Sequence, residues 1–406
     1  MRVELQINNT PDEKARFIAW APAPCRIRVS DPSGTSSPTV SVTITGKSAA
    51  GGGAIVFRKA ASGTFASTIS LTLPTDGTSV PFFVAGKFGS PSTTAGDVTV
   101  EARTGTTLVG SVPLMVRIRK NANTLTTAER DRFVSALAQL NNQGTGRYQD
   151  FCDMHATQLS LDQGHGAPAF LPWHRAYLLD LERELQSFDP SVTLPYWRFD
   201  QAAANIFSLD FLGAADSIGT VQFSAGNPLR FWRTTGVPGI NRRPLFPTAS
   251  APPGLRTETQ TLDLGNRYAL FREMEFNPHG SAHTSFGGLI RNPATAPRDP
   301  LFFLLHCNVD RLWAKWQKKN KRFDPAVAAS FESGANDPGH NLPDTMWPWN
   351  GVTGGTRPPT APGGELASSP CVNAPGPSPR VRDSLDFQGA IDPAAVMGFG
   401  YDDTAF

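Results

Sequence analysis

The chain has 406 residues, with 37 Lys and Arg against 35 Asp and Glu, a net charge of +2 and no block of like charge. That balance argues against a nucleic-acid partner or a polybasic membrane patch. A hydrophobic content of 39%, with 26 Phe and 8 Trp, excludes wholesale disorder and supplies a sizeable core, while the length allows two or three domains.

From the start, residues 1–7 alternate polar and apolar and read as a strand, not a secretory leader. Period-two runs recur at 26–29, 39–44, 68–73, 97–102 and 112–118, separated by Gly, Ser and Pro turns. This pattern predicts an N-terminal all-β sandwich over 1–120. The sandwich region contains no His and is expected to be non-catalytic, covering part of the next domain or mediating assembly into a homo-oligomer. Thr126 to Glu129 has the form of a capping box and opens a mainly α domain over 121–322. Four further helices follow: one with Tyr148, Phe151, Cys152 and His155 on one face; one beyond Pro172 with Tyr177, Leu178, Leu181 and Leu185; a shorter one with His279 and His283; and one capped near Asp299 with Phe302, His306, Val309, Trp313 and Trp316 on one face. These elements predict a four-helix bundle. Residues 323–406, rich in Pro and Gly around 357–364, read as an irregular C-terminal segment packed on the helical domain. No apolar run approaches the ~18 residues of a spanning helix, so no membrane association is expected. Cys25, Cys152, Cys307 and Cys371 have no CxxC spacing. No disulfide framework is expected, and a cytoplasmic location is the default, with export left open.

Histidine is the informative residue. Of 7, three fall at 155, 165 and 174 and three at 279, 283 and 306. A pair at i, i+4, as in His279 and His283, puts two imidazoles on one side of a helix, able to grip one ion. A single His on an apolar face is ordinarily a core residue bonded to a carbonyl. Six such residues in two matched groups would leave many buried polar atoms unsatisfied without a common partner, which favours a paired metal site. The scarcity of nearby carboxylates argues against di-iron, and imidazole suits copper and zinc alike. His340, in a Gly-His-Asn turn, is expected to be structural or exposed.

Two stretches resemble the tyrosinase and polyphenol oxidase family of type 3 copper proteins. The first is His165-Gly166-Ala167-Pro168-Ala169-Phe170-Leu171-Pro172-Trp173-His174-Arg175, followed by Leu194-Pro195-Tyr196-Trp197. The second is Asn277-Pro278-His279-Gly280-Ser281-Ala282-His283 with Asp299-Pro300-Leu301-Phe302-Phe303-Leu304-Leu305-His306-Cys307-Asn308-Val309-Asp310. The resemblance covers roughly 124–406. It implies a dicopper centre in the bundle, with two copper ions per chain, one on His155, His165 and His174 and the other on His279, His283 and His306, bridged by dioxygen during turnover. The implied activity is oxidation of small phenolic substrates to o-quinones.

The resemblance also implies roles outside the ligands. Asp310 pairs with Arg175 or orients an imidazole, and Glu275 holds a water that helps deprotonate phenols. Gly398-Phe399-Gly400-Tyr401 is similar to the motif closing the family's catalytic domain. Departures matter too. Gln163 stands where many members carry a Cys linked to a ligand His, so no thioether is expected. Gly280 stands where an Asn accompanies strong monophenol hydroxylation, and Thr284 offers only a hydroxyl. These departures favour o-diphenols over monophenols. A hemocyanin-like oxygen-binding protein is the alternative, and a dinuclear zinc hydrolase a third reading.

Overall fold

The computed structural model describes residues 1–334, 337, 339–349 and 380–406. They divide into two compact units. The first comprises Met1–Ile118 with Gln388–Phe406, and the second is formed chiefly by Arg119 onward together with residues 380–387. The C-terminal segment expected on the helical unit is divided: 380–387 group with that unit and 388–406 with the first. The Trp20 indole N–H donates to the Tyr401 carbonyl at 2.8 Å, and Phe406 packs against the strand core. The Gly398–Tyr401 motif lies in that tail, in the first unit rather than the helical one. The Pro-rich stretch 357–364 and Cys371 lie outside the described residues.

The first unit contains two sheets. One has the order β1(Arg2–Ile7), β3(Ala23–Asp31), β7(Val80–Gly86), β5(Ile55–Arg58); the other has the order β2(Phe17–Ile18), β9(Thr107–Val116), β8(Val98–Thr104), β4(Thr39–Ser48), β6(Thr68–Pro74). Every pairing is antiparallel except β2 with β9. Alternate residues of both sheets, such as Cys25, Ile27 and Val29 of β3 and Val98, Val100 and Ala102 of β8, enter one core, as period two requires. Gly86 is needed where it stands, since a Cβ there would lie 2.5 Å from Val116.

In the second unit, α1(Thr127–Asn141) starts at the expected cap: Thr126 Oγ1 accepts from the Glu129 N–H while the Glu129 side chain accepts from the Thr126 N–H. Next come α2(Tyr148–Ala156), α3(Gln158–Gly164), α4(Phe170–Phe188), α5(Glu258–Leu262), α6(Tyr268–Phe271), α7(Ser281–Thr284) and α8(Leu301–Asn320). The helix α3 had no counterpart in the sequence reading. Residues 170–182 of α4 and 301–314 of α8 are buried on every side, so the charges on these helices must find partners inside. Asp310, Arg175 and Glu182 do so in one network with Arg119. Asp310 accepts from Arg175 Nε at 2.6 Å and from Arg119 Nη1 at 3.2 Å. Arg119 Nη2 reaches Glu182 at 2.7 Å, and Glu182 also takes the Leu194 N–H at 2.9 Å. The Arg175 guanidinium lies 3.8 Å from the Trp313 ring centre and donates to Ser384 O at 2.7 Å. Among the described residues no helix is long and apolar enough to cross a membrane.

Buried and exposed charges should differ sharply in what they contribute. Asp310→Ala leaves two buried guanidinium groups without their shared carboxylate and should cost about 3–5 kcal/mol in denaturant unfolding. Glu13→Ala, at an exposed pair with Arg16, should change stability by at most about 1 kcal/mol. Asp180 is buried and accepts from the Trp349 indole N–H at 2.7 Å; burial pushes its carboxyl up from 3.8 to about 6. A raised acid pKa means that the folded state holds the proton more tightly. Its contribution to stability is therefore present below about 3.8 and is lost as pH rises to about 6. The stability of Asp180→Asn relative to wild type should accordingly rise across that window and level off above it, as read by thermal melts at several pH values.

Candidate metal centre

Each imidazole is placed by its local chain. His155 closes the last turn of α2, His165 follows Gly164 at the C-cap of α3, and His174 sits in the second turn of α4. His306 lies in the buried N-terminal part of α8. The expected short helix for His279 and His283 is not a single α-helix. Phe276–Gly280 is one π-turn with Asn277 outside helical angles, and it runs into the single turn of α7. Asn277, outside helical angles, and Pro278, which lacks an N–H, break the regular ladder there, yet both rings still face one point.

In each triad the potential ligand nitrogens lie within 4.8 Å of one another. The triads adjoin: the His174 and His306 rings stack with centroids 4.1 Å apart. Five of the six rings aim Nδ1 at a backbone carbonyl. His155 meets Pro293 O at 3.0 Å, His165 meets Leu161 O at 3.2 Å, His174 meets Phe170 O at 2.8 Å, His279 meets Glu275 O at 2.7 Å and His283 meets Ile290 O at 2.7 Å. A carbonyl only accepts, so Nδ1 carries the proton and Nε2 presents a lone pair inward. Nε2 of His155 and His174 is buried with no hydrogen-bond partner among the described residues. His306 Nε2 faces the Nε2 atoms of His279 and His283 at 3.3 and 3.2 Å. Burial, more than their neighbours' charge, lowers the pKa of all six rings, to about 4 for His283. The rings are therefore neutral near pH 7, the form that binds a metal. Convergent lone pairs with orphaned buried nitrogens fit one cation per triad. Phe170 and Phe302 wall the site: their ring centres lie 4.9 Å from His279 and 4.2 Å from His306.

Around the rings, Asp310 takes Arg175, as one of the two expected roles required. Glu275 is buried; its Oε1 accepts the Gly166 N–H at 2.5 Å and its Oε2 accepts from Arg272 at 3.3 Å. It thus ties the His279 segment to the His165 loop. Burial pushes its carboxyl up to about 7. Gly280 has helical backbone angles, and a Cβ there would lie 3.3 Å from Glu275 O. The Thr284 hydroxyl donates to Gly280 O at 3.0 Å within its own turn. Sequence reading missed Arg119 and Glu182, which carry no local signal. It also missed the Nδ1 anchors, although three of them are carbonyls four residues upstream of their His. His340 proves buried, not exposed, and accepts the Ala169 N–H at 3.2 Å.

Residues 145–269 and 255–319 match the profile described as the common central domain of tyrosinase. The tyrosinase of Streptomyces glaucescens is 33% identical over 261 residues, covering 57% of this chain and 92% of that protein. The chain belongs to the tyrosinase family. The Streptomyces antibioticus tyrosinase is 32% identical over 265 residues, covering 58% of this chain and 94% of that protein. Among solved structures, deoxygenated hemocyanin from Rapana thomasiana aligns with a TM-score of 0.49 at 23% identity, over 71% of this chain and 70% of that one. As a tyrosinase-family member the protein is a type 3 copper oxidoreductase, and its cofactor is a pair of copper ions for which the two His triads are available.

His283 belongs to the second triad alone and sits on a single short turn. His283→Ala should lower copper content by elemental analysis while leaving the unfolding transition of the metal-free protein nearly unchanged.

Proposed function

We propose that this protein is a dicopper phenol oxidase that oxidises o-diphenols to o-quinones with dioxygen and hydroxylates monophenols more slowly. His155, His165 and His174 would hold one copper, and His279, His283 and His306 the other. The observation that carries the reading is the pair of adjoining His triads, each with its lone pairs converging within 4.8 Å. On this reading the two sheets of the first unit form a sandwich without catalytic groups, and α1, α2, α4 and α8 form the bundle around the site.

Copper, when bound, supplies the electron transfer between phenol and dioxygen; in the balanced reaction two o-diphenols and one dioxygen give two o-quinones and two waters. The chain's own contribution is orientation, dryness and proton handling. The Nδ1 to carbonyl bonds fix each ring's direction and tautomer. Phe170 and Phe302 keep water from the ring cluster. Glu275, with its carboxyl near 7, is matched to accepting a phenolic proton at neutral pH, directly or through a water.

Proton removal is what separates the two substrate classes. A phenol with pKa near 10 is ionised in roughly one molecule per thousand at pH 7, so assistance matters more for monophenols than for catechols. Gly280 has no side chain to complete a water's hydrogen bonds, and the Thr284 hydroxyl is already bonded to Gly280 O. Wild type should therefore oxidise a catechol clearly faster than it hydroxylates the matching monophenol. Gly280→Asn, for which the backbone is already helical and the space nearly sufficient, should raise the monophenol rate selectively. Equal wild-type rates, or a variant that changes both rates alike, would refute the substrate preference. A copper-loaded protein that binds oxygen reversibly but leaves catechol untouched would refute the oxidase reading.

A further inference from the structure

Residues 339–349 cross the segment that carries His165 and leads to His174. The Trp347 peptide is tied at both ends: its N–H donates to Gln163 Oε1 at 2.9 Å, and its carbonyl accepts the Trp173 indole N–H at 2.7 Å. Gln163 lies two residues before His165, and Trp173 lies next to His174. His340 is the third tie. Its Nδ1 accepts the N–H of Ala169, the N-cap residue of α4, at 3.2 Å. The imidazole thus holds the far end of the 163–169 loop, while the Gln163 side chain holds the near end. The turn bearing His340 is braced internally, because Asp344 Oδ2 accepts from the Gly339 N–H at 3.0 Å and from the Asn341 N–H at 3.1 Å. Gly339 fits only as glycine: its φ is +88°, and a Cβ would lie 2.6 Å from the Gln163 side chain.

Within the first triad, His155 and His174 are held on helices, whereas His165 sits beyond a helix end in extended conformation. Its position therefore depends on whatever fixes the loop. We infer that 339–349 acts as a non-covalent strap, with His340 and Gln163 as positioning residues that preorganise the first triad, and His165 in particular, for its metal. The second triad is served by the Glu275 and Ile290 carbonyls and by α8, and the Glu275 side chain adds a bond to the Gly166 N–H that the strap does not supply. This inference rests on the dicopper reading of the site.

The test uses the full metal-free chain and Cu(II) as the probe. In a His283→Ala background, where the first triad is the one left complete, His340→Ala is expected to weaken copper binding about 10–100-fold, the usual cost of losing a residue that orients a ligand. His340→Asn keeps an oxygen able to accept from the Ala169 N–H and should recover most of that loss. In a His155→Ala background the same changes should leave copper binding by the second triad unaltered. Melting of the metal-free variants separates the effect from unfolding, and Gln163→Ala carries the same comparison if His340→Ala does not fold. Equal weakening at both triads, or at neither, overturns the strap. A wild-type chain that takes up fewer than two ions overturns the dicopper reading itself.

Discussion

Six neutral imidazoles, four of them buried and His165 and His283 partly so, turn their unprotonated nitrogens toward one another, and this arrangement constrains the rest of the helical unit. Lone pairs facing each other in a dry interior are unfavourable unless a cation lies between them. The protein can hold such a cluster only by fixing each ring from behind. Carbonyls do this for His155, His165, His174, His279 and His283. They fix rotation and tautomer together, so the same bond that orients a ring also leaves its other nitrogen free for a metal.

Carbonyl anchors are useful only if the backbone supplying them is rigid, and the buried ion network provides that rigidity. α4 and α8 each carry a ligand and are buried over residues 170–182 and 301–314, where apolar contacts alone would leave helix rotation and sliding weakly determined. Asp310 on α8, joined to Arg175 on α4 and to Arg119, sets the register of the two helices because charge pairs tolerate little displacement. Arg242 acts similarly at the start of α8, where its Nη2 meets Asp299 at 2.6 Å and the same carboxylate accepts the Leu301 N–H.

Much of this was legible in the sequence. The His groups announced the site because histidine is otherwise nearly absent, and the capping box at Thr126 fixed where the helices begin. Strands with strict alternation, such as β4 and β6, were readable. β7 was not, because Pro81 and the adjoining Phe82, Phe83, Val84 and Ala85 obscure the period, and β5 is too short to show one. α3 ends in Gly164 and has no strong apolar stripe. The π-turn at Phe276–Gly280 depends on an extended Asn277 before Pro278, a geometry that the pair permits but does not encode. Partners such as Arg119 and Glu182, 63 positions apart, leave no local trace, and the return of 388–406 to the first unit is a tertiary choice that composition cannot reveal.

That return has a consequence for biosynthesis. The strand unit is encoded in two pieces separated by the whole helical unit, and its second piece supplies the Tyr401 carbonyl that satisfies the Trp20 indole. At roughly 5–20 residues per second, the ribosome emits the strands many seconds before the tail that completes their core. The nascent first unit must wait with the Trp20 pocket open while the helical unit emerges, so a chaperone that shields that apolar opening would have a defined interval in which to act.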